Sequence, residues 1–338
     1  ASEEVLRGIW SDTVRRNRGR KDQVSGLVRG SLGQIWAGPV DAIVGVEAAR
    51  DWYDVKATGQ PAIRGTRDSA ASYGELRAPL LRATEDGRVG WNLAALTLAG
   101  RRDHYSDFGA ASTFQGGLEV RPTRNLLIRG SASSSFKPPT ILQTHVDDVV
   151  YQATLFGLTD PARGGERITS GTVVRTTNKE LTPEHGQARG FGAVWESEGG
   201  LGGRMSATYW QVRIRGMIAV VRPQAALDYE SLFPGFVTRG PSVNGQPGVV
   251  TSIKTAEANF GRLDTAGTDI DAGYTWKTAI GRLTTSVGAT RTSEYRVVLA
   301  PGAAAVDRLG RQFADFWAPR WKGRLSVGLD ERAWSLGL

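Results

Sequence analysis

Short stretches of strict alternation between apolar and polar side chains recur along the whole chain. The clearest is 268–276, where Ile270, Tyr274 and Trp276 alternate with polar or small residues. Because successive side chains of a β-strand point to opposite faces of a sheet, this two-residue period predicts strands with one apolar and one polar face. About thirteen such strands are predicted, at 3–14, 23–36, 42–50, 71–82, 89–102, 114–121, 126–136, 187–196, 204–215, 268–276, 283–289, 317–329 and 334–338.

The connections between these predicted strands alternate between short and long. Polar segments at 15–21, 53–70, 138–185, 216–265 and 290–316 are predicted to be loops or hairpin tips, with a medium connection at 103–109 and short turns at the remaining junctions. Successive connections of an antiparallel meander lie at opposite ends, so the short turns share one end. This is the arrangement of outer-membrane β-barrels, which have short periplasmic turns and long extracellular loops.

A soluble β-sandwich or propeller is the alternative for such a series of strands. It is disfavoured because soluble domains rarely carry two connections of about fifty residues at one end. The polar strand faces, with Asp269 and Asp271 as examples, also suit a water-filled interior better than a dry core.

Tryptophan residues lie where the predicted strands meet their connections. An amphipathic aromatic ring favours the membrane–water interface, so two belts of such rings are expected on a barrel. The residues predicted to form these belts are Trp36, Trp91, Trp195, Trp276, Trp317 and Trp334.

Composition excludes several classes of protein. No apolar run approaches the roughly 18 residues that a transmembrane helix needs. The chain contains no cysteine, which excludes disulfides and thiolate metal sites. The net charge of +8 suggests an anionic partner, but the cations are scattered, so no nucleic-acid groove is predicted. No constellation of a nucleophile and a base is visible, so neither an enzyme nor a cofactor site is predicted.

Arginine and histidine provide the remaining candidate chemistry. The basic run 15–21 is interpreted as a solvated hairpin tip in preference to a binding site for lipopolysaccharide phosphates. Two groups of histidine and aspartate have metal-ligating side chains, but no predicted element fixes their spacing, so no metal site is predicted. These groups are His104 with Asp103 and Asp107, and His145 with Asp147 and Asp148. Arginines in the predicted loops would complement an anionic ligand; they are Arg64, Arg67, Arg163, Arg167, Arg175, Arg222 and Arg239.

Two segments resemble elements of TonB-dependent outer-membrane receptors. Segment 106–140 resembles a strand-turn-strand that ends in a Ser-Phe-Arg-Ala-Pro-Ser motif, with Lys137 and Pro138 in place of Arg-Ala. Segment 178–196 is similar to an Asn-Pro-x-Leu-x-Pro-Glu element, with Lys179 in place of its first proline. The residues at motif positions are Phe136, Lys137, Pro139, Asn178, Leu181, Pro183 and Glu184. The first motif is expected to end its strand and to direct the following loop inward.

The resemblance implies an all-β fold, the antiparallel meander of a transmembrane outer-membrane β-barrel with about thirteen of roughly twenty-two strands. Residues 1–338 would then be a partial barrel domain without the plug domain, and an incomplete fragment of a longer receptor.

The resemblance also implies a function and its partners. The expected function is uptake of a scarce substrate with energy from the TonB complex, which would act through the missing plug region. A ferric siderophore is favoured over cobalamin or an oligosaccharide. Outer-membrane lipid and lipopolysaccharide are the other expected partners. The alternative is a passive porin or adhesin-type barrel without a plug.

Overall fold

The computed structural model of the protein describes residues 14–58, 60–85, 88–144, 149–198, 201–298, 302–311 and 317–338. No helix in these ranges is long and apolar enough to cross a membrane. The two short helices are α1 (Ile141–Thr144) and α2 (Pro223–Asp228). The strands are β1 (Arg15–Ile35), β2 (Gly38–Ala57), β3 (Gln60–Glu85), β4 (Arg88–Tyr105), β5 (Gly109–Thr123), β6 (Leu126–Lys137), β7 (Val149–Gln152), β8 (Thr159–Asp160), β9 (Glu166–Arg167), β10 (Thr172–Arg175), β11 (Glu184–Glu196), β12 (Gly202–Val220), β13 (Val237–Arg239), β14 (Val250–Thr255), β15 (Glu257–Thr278), β16 (Gly281–Val298), β17 (Val306–Asp307), β18 (Trp321–Asp330) and β19 (Ser335–Gly337).

Thirteen of these strands form one antiparallel sheet, as the alternation predicts. Its order is β1-β2-β3-β4-β5-β6-β11-β12-β15-β16-β18-β19, with β17 paired to β16. Strand β6 pairs with β11 across the first long connection, and β12 pairs with β15 across the second. The long connections are therefore insertions into a continuous meander. They leave the sheet at the end where β2 is joined to β3 and β4 to β5, opposite the turns that follow β1, β3, β5, β11 and β15.

Several segments predicted as loops are strand instead. Residues 216–220, 257–265 and 290–298 extend β12, β15 and β16 beyond their predicted ends. Residues 15–21 belong to β1 and pair with residues 51–57 of β2, so they are not a hairpin tip. Residues 60–70 belong to β3, which pairs with β2 up to Gln60 opposite Ala57. The predicted medium connection likewise shortens to residues 106–108. These strand ends carry charged side chains on both faces and lack an alternating pattern, although the backbone ladder continues. The predicted strand at 3–14 lies outside the described residues except for Val14, which precedes β1.

The two faces of the sheet differ in chemistry. On one face, Ile270 and Tyr274 of β15 remain 46% and 45% exposed, beside Val287 of β16. This side is called the apolar face below. On the opposite side, the polar face, Asp271 lies 3.2 Å from the Arg324 guanidinium. The alternation therefore predicts correctly which side chains share a face in β15.

The two long connections are not unstructured. Together they form a small second sheet in the order β13-β14-β10-β7, in which β10 runs parallel to β14. We call residues 149–175 and 221–256 the loop unit. Its buried core consists of Ala153, Leu158, Val173, Val221, Ala226, Leu227, Phe233, Val250 and Ile253. The two connections thus share one hydrophobic core at the end of the sheet opposite the turns that follow β1, β3 and β5.

Candidate functional site

The loop unit is anchored to the main sheet through aromatic packing. Phe233 contacts Phe236 of the same unit and Phe260 of β15, with ring centroids 5.4 and 6.0 Å apart. Val173 of the first connection and Ile253 of the second are buried opposite each other in the parallel pair. Because these contacts join both connections to each other and to β15, the unit offers a surface that is ordered before any ligand binds.

Arg239 links the two long connections electrostatically. Its Nη1 and Nη2 donate to the Asp160 carboxylate at 2.6 and 2.9 Å, and Asp160 belongs to the first connection. Its Nη2 and Nε also donate to Glu230 of the second connection, at 2.7 and 3.0 Å. The side chains of Asp160 and Arg239 are only 3% and 14% exposed. We call these three residues the loop clamp; sequence reasoning counted Arg239 among several loop arginines and missed its partners.

The loop clamp should make the loop unit sensitive to acid. Hydrogen bonds from Arg239 hold the pKa of Asp160 below its usual value, although burial opposes this effect. A carboxylate whose pKa is lowered by folding contributes stability above its ordinary pKa near 4, and this contribution is lost as the pH falls through the lower folded value. We expect hydrogen exchange in the loop unit to increase below about pH 4, after correction for the intrinsic rate. Asp160→Asn should lack this acid dependence; an unchanged dependence in that variant would contradict the assignment.

The first family-like motif lies where β6 ends and the first long connection begins. The Phe136 ring packs edge-on against Tyr105, with centroids 6.0 Å apart. Pro139 is fully buried, and its carbonyl oxygen accepts a hydrogen bond of 2.6 Å from Arg67. Arg67 also forms a two-pronged ion pair with Asp107. Since Arg67 is on the polar face by alternation along β3, the chain turns towards that face after β6.

The second motif returns the chain to the sheet beside the first. Lys137 lies opposite Glu184 in the pairing of β6 with β11, and its Nζ is 3.4 Å from a carboxylate oxygen of Glu184. Glu184 is buried and also accepts a hydrogen bond of 3.0 Å from the Ile218 backbone. This arrangement brings together the two ends of the first long connection.

The segment before β11 is fixed by amide side chains. Asn178 accepts from the Glu180 backbone at 2.9 Å and donates to the Glu257 carbonyl at 3.0 Å. Leu181 is buried, and Pro183 directly precedes β11. Asn259 exchanges two hydrogen bonds with the Thr182 backbone, at 2.9 and 2.8 Å. Phe136, Lys137, Pro139, Asn178 and Glu184 thus make contacts at the ends of the first long connection. Asn259 is a further partner there that no sequence pattern indicated.

The predicted interface tryptophans occupy two kinds of position. Trp36 is 84% exposed at the turn between β1 and β2, and its Nε1 donates to the Leu80 carbonyl. Trp91 differs because alternation along β4 puts it on the polar face, where its Nε1 donates to the Arg121 carbonyl and the Arg124 guanidinium lies 5.1 Å from its ring. The other four are exposed: Trp195, Trp276, Trp317 and Trp334.

Most of the loop arginines are already paired within the protein. Arg64 contacts Asp54 at 3.2 Å, and Arg163 contacts Glu166 at 2.7 Å. Arg67 and Arg239 are paired as described above. These four arginines form ion pairs within the protein. The expectation that all seven loop arginines would complement an anionic ligand is therefore corrected for these four. Arg167 is exposed on the loop unit.

In the described part of the chain, the histidine and aspartate side chains named in the sequence analysis are not arranged as metal ligands. Asp103 accepts hydrogen bonds from Arg101 at 3.0 Å, and Asp107 is held by Arg67. Neither carboxylate is therefore left to combine with His104. No group of three or more metal-ligating side chains occurs among the described residues. His145, Asp147 and Asp148 lie outside the described residues.

An aromatic pair is exposed on the loop unit. Tyr151 and Phe156 meet edge to face, with centroids 6.1 Å apart, and both remain exposed. Such rings offer apolar surface and a phenolic hydroxyl at little cost in conformational entropy. This exposed aromatic surface is a candidate for ligand contact on the loop unit.

Comparison with known proteins identifies the barrel type. The family model described as TonB dependent receptor-like, beta-barrel, matches residues 8–338. No curated protein matches the chain in sequence.

Three solved structures illustrate the likeness in fold. A variant of the ferric enterobactin receptor PfeA from Pseudomonas aeruginosa, bound to enterobactin, is 15% identical with a TM-score of 0.62, over 95% of this chain and 41% of that one. The siderophore receptor PirA from Acinetobacter baumannii is 12% identical with a TM-score of 0.60, over 93% and 40%. The ferripyoverdine receptor of P. aeruginosa is 12% identical with a TM-score of 0.59, over 96% and 38%. The chain therefore spans about two fifths of each of these structures.

Proposed function

The chain belongs to the TonB-dependent receptor β-barrel family and lies in the bacterial outer membrane, and from this premise we propose that it is part of an active-transport receptor. The receptor would take up a scarce substrate, with a ferric siderophore as the favoured class, and would draw its energy from the TonB complex. Family membership favours a receptor over a passive porin or adhesin. Members of this family are receptors and not enzymes.

The ordered loop unit is the observation that carries this proposal. Two long connections from the ligand-facing end of a barrel share one core and one buried ion cluster. A preordered surface avoids part of the entropy cost of binding, which matters for a receptor that must capture a scarce substrate. The exposed Tyr151 and Phe156 supply aromatic surface for that contact.

The different chemistry of the two sheet faces is consistent with the other proposed partners, which are membrane lipid and the TonB complex. The apolar face would contact outer-membrane lipid, including lipopolysaccharide. The polar face would line a water-filled interior, and a plug region would connect that interior to the TonB complex. We accordingly propose that residues 1–338 belong to the barrel domain, which the family match over residues 8–338 supports.

Iron-dependent expression and uptake test the proposal. In the parent strain, iron limitation should raise expression of the full-length gene, because a siderophore receptor is needed only when iron is scarce. Deletion of the gene should abolish uptake of at least one radiolabelled ferric siderophore, and restoring the gene should restore it. The same uptake should stop when the TonB complex is inactivated. If expression does not respond to iron but is induced by a sugar, the substrate is not a siderophore. If uptake persists without the TonB complex, the receptor is not an active transporter.

A further inference from the structure

A small pocket opens on the polar face beside the turn that follows β5. It has a volume of about 340 Å³, and its charged lining residues are Arg77, Glu119, Arg121 and Arg124. We call these four residues, together with Trp91, the rim pocket. The turns after β3 and β5 lie at the end of the sheet opposite the loop unit, and short turns are periplasmic in barrels of this type. The rim pocket therefore lies on the interior wall of the barrel, at its periplasmic end.

Local contacts fix the shape of the rim pocket. The Trp91 Nε1 donates to the Arg121 carbonyl at 2.8 Å, which ties the start of β4 to the end of β5. The Arg124 guanidinium lies 5.1 Å from the centroid of the Trp91 ring, within the range of a cation–π contact. Arg77 of β3 donates through its Nη2 to the Glu119 carboxylate at 3.0 Å. Three strands and one turn thus place three guanidinium groups around one space.

The rim pocket has an excess of positive charge. Its lining contains three guanidinium groups and one carboxylate, which leaves a net charge of +2. Directly opposite positions in the neighbouring strands add one charge of each sign. Asp41 lies opposite Arg77, and Arg129 lies opposite Glu119. The Arg77 side chain is 49% exposed and Arg124 is also exposed, so solutes can reach these charges. An accessible pocket of this charge favours an anionic ligand.

We propose that the rim pocket is an exit site, which binds carboxylate groups of an anionic substrate before the substrate enters the periplasm. Glu119 already places a carboxylate against Arg77, and arginine can bind a carboxylate through two parallel hydrogen bonds. The volume of the pocket falls within the range of small-molecule sites, which is about 300–1,000 Å³. The exit site rests on the proposed transport function, which does not itself assign a binding site at this end of the barrel.

Citrate, a small tricarboxylate anion, is the probe that tests the exit site. Its binding to the full-length receptor in mild detergent is measured by isothermal titration calorimetry, with trimethyl citrate as the uncharged control. Arg121→Gln with Arg124→Gln removes two charges from the rim pocket. Lys322→Gln with Arg324→Gln is the matched control, because it removes two charges from the polar face of β18, outside the pocket. Shifts in gel mobility on heating establish that each variant is folded.

The expected result separates the rim pocket from the general charge of the polar face. The pocket double variant should bind citrate roughly tenfold more weakly than wild type, since the loss of one hydrogen bond between charged groups changes an affinity by about this factor. The β18 double variant should bind citrate like wild type. Glu119→Gln should bind citrate more tightly, because the Arg77 guanidinium then loses its carboxylate partner and can donate to the ligand.

Three outcomes would overturn the exit site. They are equal affinities of the two double variants, equal binding of citrate and its uncharged ester, and absence of citrate binding to both wild type and Glu119→Gln. In the last case, other carboxylates of the receptor itself would occupy the guanidinium groups. None of these measurements uses transport or TonB. If citrate does not bind but a ferric siderophore is taken up, the exit site is wrong and the transport function stands. If uptake fails but citrate binds, the transport function is wrong and the anion site remains.

Discussion

Arg239→Ala is expected to destabilise the loop unit by about 3–5 kcal/mol, because it removes the guanidinium that is hydrogen-bonded to the buried Asp160 carboxylate. Asp160 would remain almost fully buried without this partner, whereas Glu230 is 35% exposed and its lost contact contributes little. Asp160, Glu230 and Arg239 all lie outside the main sheet, so the sheet should still assemble. Limited proteolysis should then cut within residues 149–175 and 221–256, and substrate affinity should fall with little change in the amount of receptor in the outer membrane.

The control for this variant is Arg167→Ala, which removes an exposed cation from the same loop unit. Its protease pattern should match wild type, because exposed charges contribute little to stability. Arg239→Lys should have an intermediate protease resistance. Lysine keeps the positive charge but lacks the planar guanidinium that donates hydrogen bonds to both carboxylates. If Arg239→Ala and Arg167→Ala resist protease equally, the loop clamp does not hold the two connections together.

Ile270→Arg is expected to cost the barrel roughly 2–4 kcal/mol, because an arginine near the middle of a lipid-facing surface must be taken out of water. Ile270 lies on the apolar face of β15, opposite Ala207 and Ala289 in the neighbouring strands. Those small neighbours offer no polar partner for a guanidinium. Equilibrium refolding of the full-length receptor into lipid vesicles, followed by urea titration, measures this cost. Tyr274→Arg should act in the same direction.

Matched variants on the polar face control for the charge itself. Ser206→Arg introduces the same side chain opposite Asp271, in a position where alternation turns it towards the interior. Asp271→Asn removes a charge whose ion pair with Arg324 is largely exposed. Both should assemble with less than about 1 kcal/mol of change, as exposed ion pairs contribute little. If Ser206→Arg were as damaging as Ile270→Arg, the assignment of the two faces would be reversed.

The sequence predicts the main sheet well wherever a strand separates two environments. In 268–276 the alternation identifies the strand and its two faces, because lipid on one side and water on the other impose a two-residue period. The alternation of short and long connections also predicts that the two longest connections leave the same end of the sheet, but the connections after β2 and β4 at that end are much shorter than predicted. The prediction fails at 15–21 and 53–70, where charged side chains occur on both faces and the two-residue period disappears although the backbone ladder continues.

The loop unit shows a different limit of sequence reasoning. Val173 and Ile253 are eighty residues apart, and nothing local predicts that β10 and β14 pair in parallel. The partners of Arg239 are equally non-local, since Asp160 lies in another connection. Composition revealed the surplus of arginine in the loops but not that much of it stabilises the protein. The motif residues Lys137 and Glu184 could be found by resemblance, and only the register explains why they occur together.

Spin-label scanning along 268–276 tests the central claim, that one face of each strand meets lipid and the other meets water. The chain has no cysteine, so single cysteines can carry labels without competing sites in this domain. In the full-length receptor in vesicles, labels at 270, 272, 274 and 276 should collide preferentially with oxygen, which concentrates in lipid. Labels at 269, 271, 273 and 275 should collide preferentially with a water-soluble nickel chelate. A period of 3.6 residues, or equal exposure of both sets to the chelate, would contradict a membrane-spanning β-barrel.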